Sequence, residues 1–143
     1  MKAVRQTLTR ATVALALSVV GGAAMGSAAL AQAVAQTPLG QPLQAQGSVT
    51  PNQPSACGFL AVDATQVLDV REDFAAVNVA VSGSPGLTLF IEGSNGFSEC
   101  HTTSNPADTI NAPGLLSQGR YRVYIGNTSP VSTTYQLTIS QDY

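Results

Sequence analysis

Tryptophan is absent from this chain, histidine occurs once, and cysteine and methionine occur twice each. Charge is also scarce, with only 10% of residues charged. The single lysine is Lys2, and beyond residue 31 the only cations are Arg71, Arg120 and Arg122. A nucleic-acid-binding stripe needs clustered lysine and arginine, so no nucleic-acid partner is expected. The same shortage argues against docking on an anionic membrane. Two thiols and His101 are too few for a zinc site built from Cys and His, and no cofactor or metal is expected. Serine hydrolysis needs a base beside its nucleophile, yet no G-x-S-x-G elbow surrounds any serine and His101 is the only imidazole. Neither a glycine-rich phosphate loop nor a paired-carboxylate motif occurs, so the chain is read as non-catalytic.

What is present begins with an export signal. Lys2, Arg5 and Arg10 precede an apolar run from Ala11 to Val20, and small residues lead to Ala29-Leu30-Ala31, an A-x-A cleavage pattern. Ala31-Gln32-Ala33 and Ala33-Val34-Ala35 offer later cuts. Gly21, Gly22 and Gly26 break the apolar run before it reaches the roughly 20 residues a membrane-spanning helix requires. Residues 1–31 are therefore expected to be a cleaved leader, with no membrane insertion afterwards and an address in the periplasm or outside the cell. With the leader removed, three arginines stand against eight acidic residues, a formal net charge of −5. That acidity favours solubility.

Residues 32–55 are rich in Gln, Pro, Ala and Gly and carry no charge, as in Thr37-Pro38-Leu39-Gly40-Gln41-Pro42. Such a stretch has little apolar surface to set against its ordering entropy, and a flexible tether is expected there, with room for one short strand near its end. From residue 56 the pattern acquires period two. Val77-Asn78-Val79-Ala80-Val81, Leu87-Thr88-Leu89-Phe90-Ile91, Tyr121-Arg122-Val123-Tyr124-Ile125 and Tyr135-Gln136-Leu137-Thr138-Ile139 each alternate like half-buried strands. Phe59–Val62 and Val67–Val70 are less regular versions. Ser84-Pro85-Gly86 fits a type II turn and Asn95-Gly96 a tight turn, while Asn105-Pro106, Pro113-Gly114, Gln118-Gly119 and residues 127–130 mark further reversals. The fold expected for residues 56–143 is all-β, a jelly-roll-like antiparallel β-sandwich of about seven to eight short strands. Cys57 and Cys100, an even pair in an oxidising compartment, are expected to form one disulfide.

The order of these blocks resembles a known family. Cys57-Gly58, Asp69-Val70 before Asp73-Phe74, the run Val77–Val81, Gly86-Leu87-Thr88-Leu89-Phe90-Ile91-Glu92-Gly93 with Asn95-Gly96, and Cys100 follow one another. Gly119-Arg120-Tyr121-Arg122-Val123-Tyr124-Ile125-Gly126 and Tyr135-Gln136-Leu137-Thr138-Ile139-Ser140 complete the series. Across roughly residues 57–140 this resembles the bacterial pre-peptidase C-terminal β-sandwich domains and small stand-alone exported proteins related to them. The resemblance implies an accessory, adhesive or processing-related module of the kind found beside secreted hydrolases. Relatives carry acidic residues after the second cysteine, whereas here His101-Thr102-Thr103 follows Cys100. A carboxylate-lined ligand loop is therefore not implied at this point.

Several residues are candidates for a site. Cys100-His101 would be a thiolate–imidazole pair, but strand neighbours point to opposite faces and the cysteine is expected to be oxidised. Asp69, Glu72 and Asp73 lack the glycine-punctuated spacing of a calcium loop and are read as a solvated turn screened by Arg71. Tyr121 and Tyr135 fall in register with core aliphatics. Tyr124 shares the other face with Arg120 and Arg122, and Phe97 follows the Asn95-Gly96 turn at a loop tip. Arg120, Arg122, Tyr124 and Phe97 thus form the candidate exposed binding patch. Two roles fit: an exported module that binds an envelope glycan or a secreted protein, and a structural partner of a separately encoded secreted hydrolase.

Overall fold

The structure, a computed structural model, describes residues 34–105 and 107–141. The expected leader, residues 1–31, lies outside the described residues. Eleven strands are present among the described residues: β1 Val34–Gln36, β2 Leu43–Val49, β3 Gln53–Ser55, β4 Gly58–Leu60, β5 Gln66–Val70, β6 Ala75–Gly83, β7 Leu87–Gly93, β8 Ser98–Thr102, β9 Ile110–Leu116, β10 Gly119–Asn127 and β11 Thr133–Gln141. They form two sheets packed as a sandwich, the architecture that the alternation predicts.

Sheet A is organised around β10. One side of β10 pairs with β5 through its first half and with β4 at its end, while the other side pairs with β7 along its length. Outside these lie β1 beyond β5, β3 beyond β4 and β8 beyond β7. Sheet B runs β2-β11-β6-β9, with every neighbour antiparallel. The β1–β5 pair is parallel, an exception to the expected antiparallel arrangement.

The core lies between the sheets and is built from the alternate residues of each strand. Leu68 and Val70 of β5, Leu89 and Ile91 of β7, and Tyr121, Val123 and Ile125 of β10 meet Val77, Val79 and Val81 of β6 and Leu137 and Ile139 of β11. Burying an aliphatic side chain of this size contributes roughly 1.5–3 kcal/mol. The period-two pattern is thus the main source of cohesion.

The tether expected over residues 32–55 is not what the structure holds, because β1, β2 and β3 all lie there. Two forces outweigh its polar composition. As edge strands, β1 and β2 gain backbone hydrogen bonds that do not depend on side-chain type. Ala35, Leu43, Ala45 and Val49 also pack against the core from their inward faces, and Leu39 is buried within it. Residues 56–143 hold eight strands, β4 to β11, within the expected seven to eight, and β1–β3 bring the total among the described residues to eleven. Pro113-Gly114 does not reverse the chain. It sits inside β9, at the sheet edge, where a missing N–H removes no ladder bond. Asn95 and Gly96 do form a turn, with φ of 72° and 79°.

Candidate functional site

The expected patch lies on the outer face of sheet A. Tyr121, Val123 and Ile125 of β10 are buried, so Arg120, Arg122 and Tyr124 project the other way. Their charge is matched locally. Arg120 donates from Nε to Asp69 Oδ1 at 2.7 Å and from Nη2 to Oδ2 at 3.1 Å. Arg71 Nη2 stands 4.0 Å from Asp69 Oδ2, and Arg122 Nη1 stands 3.9 Å from Glu92 Oε2. The hydrogen bonds from Arg120 hold the Asp69 carboxyl below its ordinary range, partial desolvation opposes this, and the charges of Arg120 and Arg71 add to the lowering. All three arginines therefore have a carboxylate neighbour, and the face offers no bare cationic anchor.

Tyr124 lies beside its cross-strand neighbour Phe90, ring centroids 6.1 Å apart and planes tilted by 43°. Partial burial, followed by the nearby charge of Glu92, raises its hydroxyl pKa. Together with Phe90 and Glu92 it walls a groove of about 190 Å³, closed on the other side by Gln53–Ser55 and Leu60–Val62.

Phe97 is not part of this patch. The turn at Ser94–Gly96 folds back through a Gly93 N–H to Phe97 carbonyl bond of 2.8 Å. Phe97 then packs edge-on against Tyr121, centroids 5.4 Å apart, on the core side of the sheet. Gly93 permits the contact, since a Cβ there would lie 2.7 Å from Tyr121 Cδ1 and 3.1 Å from Phe97 Cβ. The loop-tip placement fails because tyrosine and phenylalanine gain more by covering one another than by facing water.

The acidic turn is also divided. Asp69 serves Arg120, Asp73 is exposed, and Glu72 accepts from Thr37 Oγ1 at 2.5 Å and from Gln141 Nε2. Among the described residues, no three His, Cys, Asp or Glu side chains are grouped to hold a metal. Cys57 and Cys100 form the expected disulfide, Cα atoms 5.6 Å apart, with Cys57 buried and Cys100 exposed. His101 Nε2 contacts Glu99 Oε2 at 3.1 Å on the edge strand β8.

A second surface was not singled out by the sequence reading. None of the four strands of sheet B carries a charged residue. Within the described strands, every Asp, Glu and Arg belongs to sheet A. The outer face of sheet B is laid out in rows of amides and hydroxyls. Gln46, Gln136 and Ser82 form one row, and Gln44, Thr138, Ala80 and Asn111 another. An open groove of about 520 Å³ follows β2 and β11, lined by Gln44, Gln46, Gln136 and Thr138 above the backbone of Ala45 and Leu137. A neighbouring depression of about 560 Å³ continues it past Ser82 and Thr134. The signal was available as the absence of charge from each segment. Reading residues 43–49 as tether hid it, because half the groove wall belongs to β2.

Neither a protein-family model nor a curated protein sequence matches this chain. Among solved structures, the chain is similar to the pre-peptidase C-terminal domain of collagenase from Bacillus anthracis, at 16% identity over 77% of this chain and 97% of that one, with a TM-score of 0.49. It is also similar to PliG of Aeromonas hydrophila, a periplasmic inhibitor of g-type lysozyme, at 11% identity over 78% of this chain and 100% of that one, with a TM-score of 0.45.

Proposed function

We propose that this chain is an exported, non-catalytic recognition module that receives an uncharged, hydroxyl-rich glycan of the envelope or extracellular space on the outer face of sheet B. The observation that carries the reading is the charge-free groove lined by Gln44, Gln46, Gln136 and Thr138. A glutamine amide donates and accepts hydrogen bonds at once, as does a sugar hydroxyl, so the two surfaces are chemically matched. Emptying such a groove of water costs less than stripping a charged one, because no ion loses its hydration. The disulfide fits an oxidising compartment, and the leader expected at residues 1–31 would deliver the chain there. No helix among the described residues is long and apolar enough to cross a membrane.

Titration of residues 32–143 against immobilised neutral polysaccharides and against charged ones tests this. Retention by a neutral polymer is expected, unchanged between low and high salt, because no ion pair contributes. Gln136→Glu and Thr138→Lys are expected to weaken it at least about tenfold by placing an unmatched charge in the interface. Retention only by charged polymers, or by none, would overturn the reading, as would equal binding by both variants.

A further inference from the structure

The edges of the two sheets are not treated alike. A sheet edge carries a row of open backbone N–H and C=O groups, and natural proteins blunt it with charge, proline or brevity. Here β1 and β3 are three residues long, and β3 includes Pro54. The edge strand β8 carries Glu99 and His101 and is fastened at Cys100, while β9 is interrupted by Pro113. The remaining edge, β2, runs seven residues as Leu-Gln-Ala-Gln-Gly-Ser-Val with neither charge nor proline. On one side it pairs with β11, and among the described residues no strand flanks the other.

The sequence of β2 is also complementary to itself. Antiparallel pairing of two copies about Gln46 sets Leu43 opposite Val49, Ala45 opposite Gly47 and Gln44 opposite Ser48 of the other copy. Apolar residues then meet apolar residues on the core side, and polar meets polar outside. Leu43, Ala45 and Val49 remain only partly buried in one copy, so the added strand would cover their open flank. No like charges oppose one another anywhere in sheet B, although the chain as a whole is acidic.

We infer that β2 is a self-association edge, through which two copies join their four-stranded B sheets into one continuous eight-stranded sheet with a two-fold axis at Gln46. Each copy then meets the symmetry requirement of an isologous contact, in which the same surface serves both partners. The uncharged outer face doubles in length across the axis. The inference does not rest on the proposed glycan, because association is measured without any ligand.

Sedimentation of residues 32–143, with the disulfide intact, from micromolar to millimolar concentration tests it. A reversible monomer–dimer equilibrium is expected. Gln46→Lys sets like charges against each other at the axis and is expected to weaken dimerisation at least about tenfold, leaving the melting temperature of the monomer unchanged. Gln46→Cys is expected to cross-link two copies on mild oxidation, because directly opposed Cβ atoms lie about 5 Å apart. Ser48→Cys should not cross-link, since its counterpart is displaced four residues along the strand, roughly 13 Å away. A monomer at every concentration would overturn the inference. So would a dimer indifferent to Gln46→Lys, or cross-linking equal at the two positions.

Discussion

Thr37 donates its hydroxyl proton to Glu72 Oε2 at 2.5 Å, across 35 residues of sequence. The same threonine oxygen accepts from the Arg71 N–H at 2.9 Å. Gln141 holds the other Glu72 oxygen while its own Oε1 accepts from the Leu39 N–H at 2.9 Å. One carboxylate thus ties the segment after β1 to the turn after β5 and to the last strand. The Thr37 bond first, then the Gln141 bond, lower the Glu72 pKa below its ordinary value. A carboxyl with a depressed folded-state pKa adds stability that is complete above its unfolded pKa, about 4.3, and is lost as pH falls through the folded value. Thermal unfolding between pH 2 and 6 should show the melting temperature falling below about pH 5. Glu72→Gln should melt lower at pH 7 and lose part of that acid dependence; an unchanged slope would show that Glu72 does not contribute to it.

The disulfide should be the largest single contributor to stability. It spans a sequence separation of 43 residues and joins the start of β4 to the edge strand β8. Closing a loop of that length stabilises a fold by about 4 kcal/mol on the chain-entropy account. Cys57→Ala with Cys100→Ala should therefore lower the melting temperature by about 10 °C or more. Reduction should act through the exposed Cys100 end, and calorimetry with and without reductant provides the check.

Gly126 occupies a close approach in the middle of sheet A. A Cβ there would collide with the Phe59 carbonyl oxygen and sit 2.6 Å from Thr88 Oγ1 and 2.8 Å from Leu60 Cδ2. A backbone carbonyl cannot swing aside as a flexible side chain would. Gly126→Ala should destabilise by about 1–3 kcal/mol, the usual range for overpacking. Gly40→Ala is the control, because nothing lies within 4 Å of its new methyl group. Denaturant titration that ranked the two equally would contradict the close packing at Gly126.

Legibility followed burial. Val77–Val81, Leu87–Ile91, Tyr121–Ile125 and Tyr135–Ile139 each have a buried aliphatic face, and the structure gives all four as strands. The disulfide was legible from two cysteines and the leader expected at residues 1–31. The strands β1 and β2 were not, and β3 only as room for a short strand near the end of the tether, because an edge strand is held largely by backbone bonds to its neighbour, which leave little trace in side-chain pattern. The exposed patch was half legible. Alternation placed Arg120, Arg122 and Tyr124 on one face, but the pairing of Arg120 with Asp69 spans 51 residues and depends on strand register. Phe97 was misplaced for the same reason, since its partner Tyr121 becomes a neighbour only when β7 and β10 pair.

Thr88 places a hydroxyl where its surroundings offer it nothing to bond. Its cross-strand neighbours are Gly126 on β10 and Thr102 on β8, and it is 1% exposed. Its Oγ1 has no hydrogen-bond partner among the described residues. A buried hydroxyl without a partner gives up its hydration for nothing in return, a penalty of about 1–3 kcal/mol. Valine has the same shape with a methyl group in place of that hydroxyl. Thr88→Val should therefore raise the melting temperature by a few degrees, whereas Thr88→Ala, which leaves a void, should lower it. Thermal unfolding of the two variants separates packing from polarity at one position. A fall of several degrees in Thr88→Val would mean that the hydroxyl is satisfied by a partner such as a trapped water, and that the polarity of this site is stabilising.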